Sequence, residues 1–431
     1  MIENNLEKIK EGRCNKLWNK NFFLLWQGQL VSCLGDALYS IALGFWVLEK
    51  TGSSGIMGVV MASITIPRII LGPFAGVIVD RFDRKKIILL GDFIRGLGMI
   101  FVAYGAFQGF LEVWMVLVVG IICGASSAFF NPSVMSVMPD IVPTDKLIQA
   151  NSAYQMATST TNLIGSMSGG FLFSILGAPV MFLINGVSYL ISSFTEVFIS
   201  VPKVKHDKKH LTLKEDFVDG FKFIAKLKGL LALIGVATIL NFLFGIFSVL
   251  LMPWFSQEAS LGVVKYGIMS GVNSFGMVCS MLLLSLIKIK TNKKFIIYVT
   301  TLFGSVSSAF LGTLSNNFYG ICIFYFLCFG FMAISNTITN STIQIIVPQN
   351  MRGKVNSLLV TACTSIQPLG ILFGGLLGDY FHPRNIILVA FAISIVLVPP
   401  LFLFKSTKKV LNYDPDKNTL DEIQSSLKIK E

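Results

Sequence analysis

Ionisable side chains inside otherwise apolar segments are the strongest candidates for chemistry in this sequence. Asp36 lies about 14 residues from the inner end of its apolar segment, and Arg68 lies about 11 residues from the inner end of the next segment. Along a helix these positions correspond to depths of about 21 and 16 Å. Ionisable groups are costly inside a bilayer and usually functional there. We expect Asp36 and Arg68 to pair near the midplane, where Asp36 takes up a proton or responds to a cation when the pair opens. A purely structural salt bridge is the alternative.

Other polar residues are expected at different depths. Asp92 and Arg95 are spaced i,i+3, so they share one face of a helix, about 8–12 Å inside the boundary. We interpret them as part of a gate, with a direct coupling role as the alternative. Glu196 lies close to the end of its segment, so we expect its carboxylate to reach water. The uncharged candidates, which either line a cavity or satisfy helix contacts, are Asn241, Asn273, Asn336 and Gln367.

The composition indicates which elements must position these residues. Of the 431 residues, 53 % are hydrophobic and 13 % are charged, whereas a soluble protein carries about 25 % charged residues. This argues against a soluble enzyme and against a disordered chain. The apolar runs have the length that crosses a bilayer core as a helix. We predict an all-α integral membrane protein with twelve spans, at 22–46, 56–79, 87–109, 113–136, 148–175, 179–200, 229–252, 266–287, 295–313, 318–340, 355–378 and 385–404.

The basic residues predict the orientation of these spans. With both termini inside, the inner segments carry 30 Lys and Arg residues and the outer loops carry 3. An excess of this kind marks the cytoplasmic side. It also accounts for the net charge of +12 without a nucleic-acid partner. The polar N-terminal segment has no hydrophobic signal region, so we expect no cleaved signal.

The two halves of the chain share an internal repeat. The triplet Ile-Val-Pro at 141–143 and the pair Asn-Ser at 151–152 recur 205 residues later, at 346–348 and 356–357. Two parallel halves imply a binding site between them. Glycines suited to close helix packing keep the same offset, namely Gly165, Gly169 and Gly170 with Gly370, Gly374 and Gly375.

A polar stretch at 201–228 divides the spans six and six. We therefore expect six-helix bundles at 1–200 and 229–404. The stretch between them is interpreted as a cytoplasmic linker whose second part, 213–228, lies as a helix at the membrane surface, with a plain linker as the alternative. The remainder, 405–431, is expected to be a polar, mobile tail.

The loop at 76–86 reads GVIVDRFDRKK. It closely resembles the G-x-x-x-D-R-x-G-R-K loop of the major facilitator superfamily, with Asp83 where the family usually has glycine. The resemblance covers essentially the whole chain and implies two bundles that work by alternating access. It also implies that Asp80 meets the N-terminus of the span beginning near Lys354, where the helix dipole favours an anion. The expected cytoplasmic gate is then Gly76, Asp80, Arg81, Arg84, Lys85, Asp92 and Arg95, and a simple positive-inside anchor is the alternative.

A second motif narrows the resemblance. Residues 165–170, GSMSGG, are similar to the G-P-x-x-G-G signature of drug/proton antiporters, with Ser166 in place of proline, and simple helix packing is the alternative. The segments LGDALYSIALGFWVLEKTGSS and INGVSYLISSF resemble the macrolide-efflux subgroup. The membrane arginine of the family would fall at Gly120, so its role must be met differently here.

These patterns favour a transporter over an enzyme. The sequence contains no phosphate-binding loop and no nucleophile–base pair, and its three His and seven Cys form no metal-binding pattern. We expect no cofactor and no metal. We interpret the chain as a monomeric exporter of amphipathic drugs such as macrolides, exchanging them for protons across a bacterial cytoplasmic membrane. Export of a siderophore or a lysophospholipid, and a non-transporting sensor that reuses the fold, remain the alternatives.

Overall fold

In the computed structural model, the regular secondary structure of the described residues is helical. The described residues are 17–143, 146–201, 221–222, 224–225, 227–287, 289–347 and 352–413. They form two compact units, one comprising 17–52 and 59–201, the other comprising 53–58 and the described residues from 221 to 413. Most of the predicted linker, at 202–220, lies outside the described residues.

The first unit is built from long helices that begin at identifiable caps. Asn19 accepts a hydrogen bond from the amide of Phe22 and starts the first helix. Asp83 accepts from the amides of Lys85 and Lys86 and starts the third helix, as an N-cap carboxylate does. The residue that departs from the family loop therefore has a structural role. The helices are α1 (Lys20–Thr51), α2 (Ser54–Arg81, of which residues 54–58 belong to the second unit), α3 (Arg84–Phe107), α4 (Val113–Ile141) and α5 (Leu147–Val197).

The second unit contains a helix that is broken where one span was predicted. Pro368 lies in the first turn of the helix that starts at Gln367, and proline cannot donate to the turn before it, so the preceding helix ends at Thr364. The helices are α6 (Lys228–Gln257), α7 (Gly262–Leu286), α8 (Lys294–Leu314), α9 (Phe318–Ile346), α10 (Arg352–Thr364), α11 (Gln367–Tyr380), α12 (Pro383–Leu397) and α13 (Lys405–Leu411).

The chain is a multi-pass membrane protein. In the described residues, eleven helical segments are long and apolar enough to cross a bilayer. One of them, Gln149–Val197, has 49 residues, where a single crossing needs about 20. It contains Gly177 at φ 70°, a left-handed conformation that interrupts the helix. This segment comprises two spans, and the twelve predicted spans are thereby all accounted for.

Small residues let the helices of each unit approach closely. A Cβ atom at Gly374 would lie 2.8 Å from the Cα of Ile246 and 3.1 Å from Cγ1 of Val249, so the contact between α11 and α6 requires glycine. The predicted glycines face their neighbours as follows: Gly165 faces Ala37, Gly169 faces Ile41, Gly370 faces Phe242, Gly374 faces Ile246 and Gly375 faces Ser54, while Gly170 is buried.

The prediction of a mobile tail after Phe404 is wrong for residues 405–413. Thr407, Val410 and Leu411 of α13 are buried, and Val410 and Leu411 belong to a hydrophobic core cluster of the second unit. Asn412 accepts a hydrogen bond from the amide of Phe295 at 2.9 Å, at the start of α8. The buried positions have the helical spacing i, i+3, i+4, but the segment is short and rich in lysine, so the sequence did not indicate a packed helix. Residues 414–431 lie outside the described part.

We expect Gly374→Ala to destabilise the protein by about 1–3 kcal/mol, because the added methyl group meets helix backbone that cannot move aside. The measurement is the midpoint of thermal unfolding of the purified protein in detergent. Gly235→Ala is the matched control in the same unit, since nothing lies within 4 Å of its added Cβ. Equal midpoints for the two variants would show that the α6–α11 contact does not need glycine.

Candidate functional site

The first unit contains a buried ion pair on α3. Nη2 of Arg95 lies 2.5 Å from Oδ1 of Asp92, one helical turn away. Asp92 is 0 % exposed and Arg95 is 5 % exposed. The i,i+3 spacing that predicted a shared face therefore leads to a direct contact. Both charges lie in the protein interior rather than at its surface.

Aromatic rings of two further helices hold the guanidinium in place. The Cζ atom of Arg95 lies 4.2 Å from the ring centre of Phe130 on α4 and 4.6 Å from that of Tyr189 on α5. These are cation–π distances, and such contacts are stronger away from water. Nη1 of Arg95 also donates to the Tyr189 hydroxyl at 3.4 Å. One cation thus connects three helices of the unit.

Tyr189 continues this network to Asp36. Its hydroxyl donates to Oδ1 of Asp36 at 2.5 Å, and Nδ2 of Asn185 donates to the same oxygen at 3.5 Å. Asp92, Arg95, Tyr189 and Asp36 therefore form one continuous chain of polar contacts. We call this chain, together with Asn185, the polar network.

The predicted pair of Asp36 with Arg68 is not formed in this structure. Asp36 bonds to Tyr189 and Asn185, and the side chain of Arg68 on α2 is exposed. Depth along two helices places two residues at one level, but it leaves the direction in which each side chain points undetermined. Arg95, rather than Arg68, supplies the positive charge beside Asp36.

Glu196 is buried, and the expectation that it reaches water is wrong. It is 1 % exposed, and its Oε1 accepts a hydrogen bond from the Ser192 hydroxyl at 3.3 Å. Ser192 and Glu196 lie one turn apart on α5, where both face the interior of the bundle. Among the described residues of the first unit, the buried carboxyls of Asp92 and Glu196 and the half-buried carboxyl of Asp36 therefore lie around the guanidinium of Arg95.

Sequence reasoning missed Asn185, Tyr189 and Ser192, although a signal for them exists. Together with Glu196 they are spaced i, i+4, i+7 and i+11. This spacing places four polar side chains on one face of an otherwise apolar helix. Reading the face of the helix, rather than only its charged residues, would have predicted the partners of Asp36.

The basic loop residues bond within the first unit. Nη1 of Arg84 contacts Oδ2 of Asp140 and the carbonyl of Ser136, both at 3.0 Å. Nζ of Lys85 donates to the carbonyl of Val197 at 2.7 Å. These contacts connect the start of α3 with the ends of α4 and α5. The structure describes only the backbone at four predicted gate residues or partners, namely Gly76, Asp80, Arg81 and Lys354. The predicted contact of Asp80 therefore stays a prediction.

The second unit contains a cavity of about 440 Å³. Apolar and aromatic side chains from α6, α8, α9, α10 and α12 form most of its wall, and no described residue lining it is charged. Two of the four predicted cavity residues, Asn241 and Asn336, line it, whereas Asn273 and Gln367 do not. The uncharged polar groups in the wall include Asn241, Tyr298, Ser335, Asn336, Thr339 and Asn340.

The cavity has the chemistry of a site for an uncharged amphipathic group. Nδ2 of Asn241 donates to the carbonyl of Ala237 at 2.8 Å, which orients its oxygen as an acceptor. Asn336 and Asn340 are exposed and can donate or accept. Pockets of 300–1,000 Å³ with mostly apolar walls and a few polar groups are typical of small-molecule sites.

Comparison with known proteins supports a transporter. A model described as the Major Facilitator Superfamily matches residues 25–371. Macrolide efflux protein A of Streptococcus pyogenes is 25 % identical over 397 residues, which cover 89 % of this chain and 96 % of that protein. Multidrug resistance protein 2 of Bacillus subtilis is 25 % identical over 376 residues, which cover 85 % and 89 % of the two chains.

A solved structure supports the same fold. A bacterial homolog of the human lysosomal transporter Spinster aligns with a TM-score of 0.68 and 15 % identity, covering 91 % of this chain and 98 % of that one. At this identity the likeness shows the fold alone. The relatives and the fold are those of transporters, not of enzymes.

The cavity can be tested through its cysteines. Cys363 and Cys328 both line it, but Cys363 is partly exposed and Cys328 is buried. We expect a membrane-permeant maleimide to modify Cys363 first, and we expect Asn336→Trp to slow that modification at least tenfold by filling part of the cavity. Mass spectrometry of the labelled peptides measures both rates.

Ile323→Trp is the control for this labelling experiment. It adds the same indole to the same helix, α9, at an exposed position that does not line the cavity. Equal slowing of Cys363 labelling by the two tryptophans would contradict the assignment of Asn336 to the cavity wall.

Proposed function

We propose that this chain, which belongs to the Major Facilitator Superfamily, exports amphipathic compounds such as macrolides and exchanges them for protons. The observation that carries the proposal is the polar network of the first unit, where Asp36 accepts a hydrogen bond from Tyr189, which contacts Arg95. Similarity to a macrolide efflux protein over 89 % of the chain supports the substrate class.

The proposal of proton coupling is supported by an excess of negative over positive charge in the interior of the first unit. With Asp36, Asp92 and Glu196 all ionised, the cluster carries three negative charges and only the one positive charge of Arg95. An uncompensated charge inside a membrane protein is costly. Uptake of protons by carboxyls relieves this cost, so the number of protons bound depends on the positions of these side chains. A rearrangement that moves Arg95 relative to the carboxyls would bind or release protons.

Asp36 is the proposed coupling residue because it stands at the end of the network. As a carboxylate it accepts from Tyr189 on α5. When Asp36 is protonated, its carboxyl accepts the hydrogen bond from the Tyr189 hydroxyl less strongly, so the contact between α1 and α5 weakens. Proton binding can thus favour one conformation of the first unit over another, which is what coupling requires.

The cavity of the second unit is the proposed site for the substrate. Its volume of about 440 Å³ and its uncharged wall suit the apolar body and the hydroxyl groups of an amphipathic drug. Asn241 and Asn336 would hydrogen-bond to that substrate. We propose that the protein works as a monomer in the bacterial cytoplasmic membrane, with both termini in the cytoplasm, as the distribution of Lys and Arg favours.

We expect Asp36→Asn to abolish macrolide-dependent proton movement, because an amide cannot exchange the proton. The measurement uses proteoliposomes with an imposed pH gradient and a pH-sensitive dye inside. The wild-type protein should move protons when a macrolide is added, and the variant should move fewer than about one tenth as many.

Glu112→Gln is the control for this transport assay. Glu112 is an exposed acid that pairs with Lys50 and lies outside the polar network. Normal coupled transport by Asp36→Asn would remove Asp36 from the coupling role. Absence of proton movement in the folded wild-type protein, with macrolides and with lipophilic cations, would contradict proton-coupled drug export itself.

A further inference from the structure

Two carboxylate oxygens of the first unit are buried without a hydrogen-bond donor among the described residues. They are Oδ2 of Asp92 and Oε2 of Glu196, on side chains that are 0 % and 1 % exposed. A buried acceptor without a partner costs free energy, and more so when it is charged. Unsatisfied atoms of this kind therefore point to a group that the protein atoms alone do not include.

The two carboxyls are neighbours joined by one hydroxyl. Ser192 donates to Oε1 of Glu196 at 3.3 Å and lies close enough to interact with Asp92. A serine hydroxyl has a single hydrogen, so it cannot donate to both carboxylates at once. The other oxygen of Asp92, Oδ1, is already occupied by Arg95. One further hydrogen is needed to satisfy the group.

The surrounding charges leave the pair one positive charge short. Asp92, Glu196 and Arg95 together carry a net charge of −1 when both acids are ionised, and they are neutral when one proton is added. Asp36, which is connected to Arg95 through Tyr189, adds further negative charge when it is ionised. Lys85 approaches the end of α5, where its Nζ donates to the carbonyl of Val197 in an exposed contact, and Oε2 of Glu196 has no donor among the described residues. The titratable groups that face the pair from the helices around it are Cys33 and Asp36 on α1, Arg95 on α3, and Tyr154 and Tyr189 on α5.

We propose that Asp92 and Glu196 form a carboxyl dyad that holds one exchangeable proton, separate from Asp36. The proton comes from water, forms one O–H bond on either carboxyl and hydrogen-bonds to the Ser192 hydroxyl or to the other carboxyl. Two acids that share a site in this way cannot both ionise at low cost. The dyad gives the first unit a second protonation site, close to the end of α5.

A role of the dyad in transport rests on the proposed function, since its proton would be exchanged only in a transport cycle that requires Asp36. The binding of a proton by the dyad does not rest on the proposed function. The proposal is therefore tested on purified protein without any transported compound. A failure of macrolide transport would leave this test unchanged.

Infrared difference spectroscopy between acidic and alkaline pH detects protonated carboxyls through their C=O stretching band. We expect one band that is present in the wild-type protein and lost in both Asp92→Asn and Glu196→Gln. In each variant the remaining acid of the dyad stays ionised beside Arg95, so no protonated carboxyl is left there to absorb. The double variant should lose no more than either single variant. Asp140→Asn is the control, since this acid pairs with Arg84 outside the dyad and its loss should leave the band intact.

The wild-type protein provides a second readout that does not depend on the folding of a variant. Dicyclohexylcarbodiimide modifies protonated carboxyls inside membranes, so we expect Glu196 or Asp92 to react at acidic pH and to be protected at alkaline pH. Absence of both the infrared band and this modification would overturn the proposal. Protection by Na⁺ at constant pH would overturn it in favour of a cation site.

Discussion

A single guanidinium surrounded by three carboxyls is the constraint on which the interior of the first unit depends. Arg95 is bonded to Asp92 on its own helix, packed between the rings of Phe130 and Tyr189, and connected through Tyr189 to Asp36. Burying such a cation is tolerable only because each neighbour contributes a charge, a ring or a hydroxyl. The same arrangement leaves negative charge in excess, and on the proposed function this excess is what protons would relieve.

The two units differ in the chemistry that they enclose. The first contains the polar network and the buried acids. The second contains a cavity whose described lining residues are uncharged. On the proposed function, this asymmetry would separate proton exchange from recognition of an apolar compound, so that neither task would impose its charge requirements on the other. The shared glycine spacing is compatible with this difference, because close helix packing depends on the glycines and not on the residues between them.

Much of this was predictable from the sequence, and the remainder was not for physical reasons. Span length and hydropathy predicted the twelve crossings, and the i,i+3 spacing predicted that Asp92 and Arg95 share a face. The partners of Asp36 were missed because depth does not determine the direction of a side chain, so Arg68 was predicted in place of Tyr189 and Asn185. Glu196 was misjudged because closeness to a helix end does not reveal what packs over it. The polar face of α5, from Asn185 to Glu196, was the available but unused signal.

Calorimetry of macrolide binding in two buffers with different ionisation enthalpies can detect the proposed exchange of protons for drug. We expect the measured enthalpy to depend on the buffer for the wild-type protein, because binding releases protons from the first unit. This dependence should be reduced in Asp36→Asn, while binding itself persists at the cavity of the second unit. An enthalpy that is the same in both buffers for the wild-type protein would show that binding and proton release are not linked.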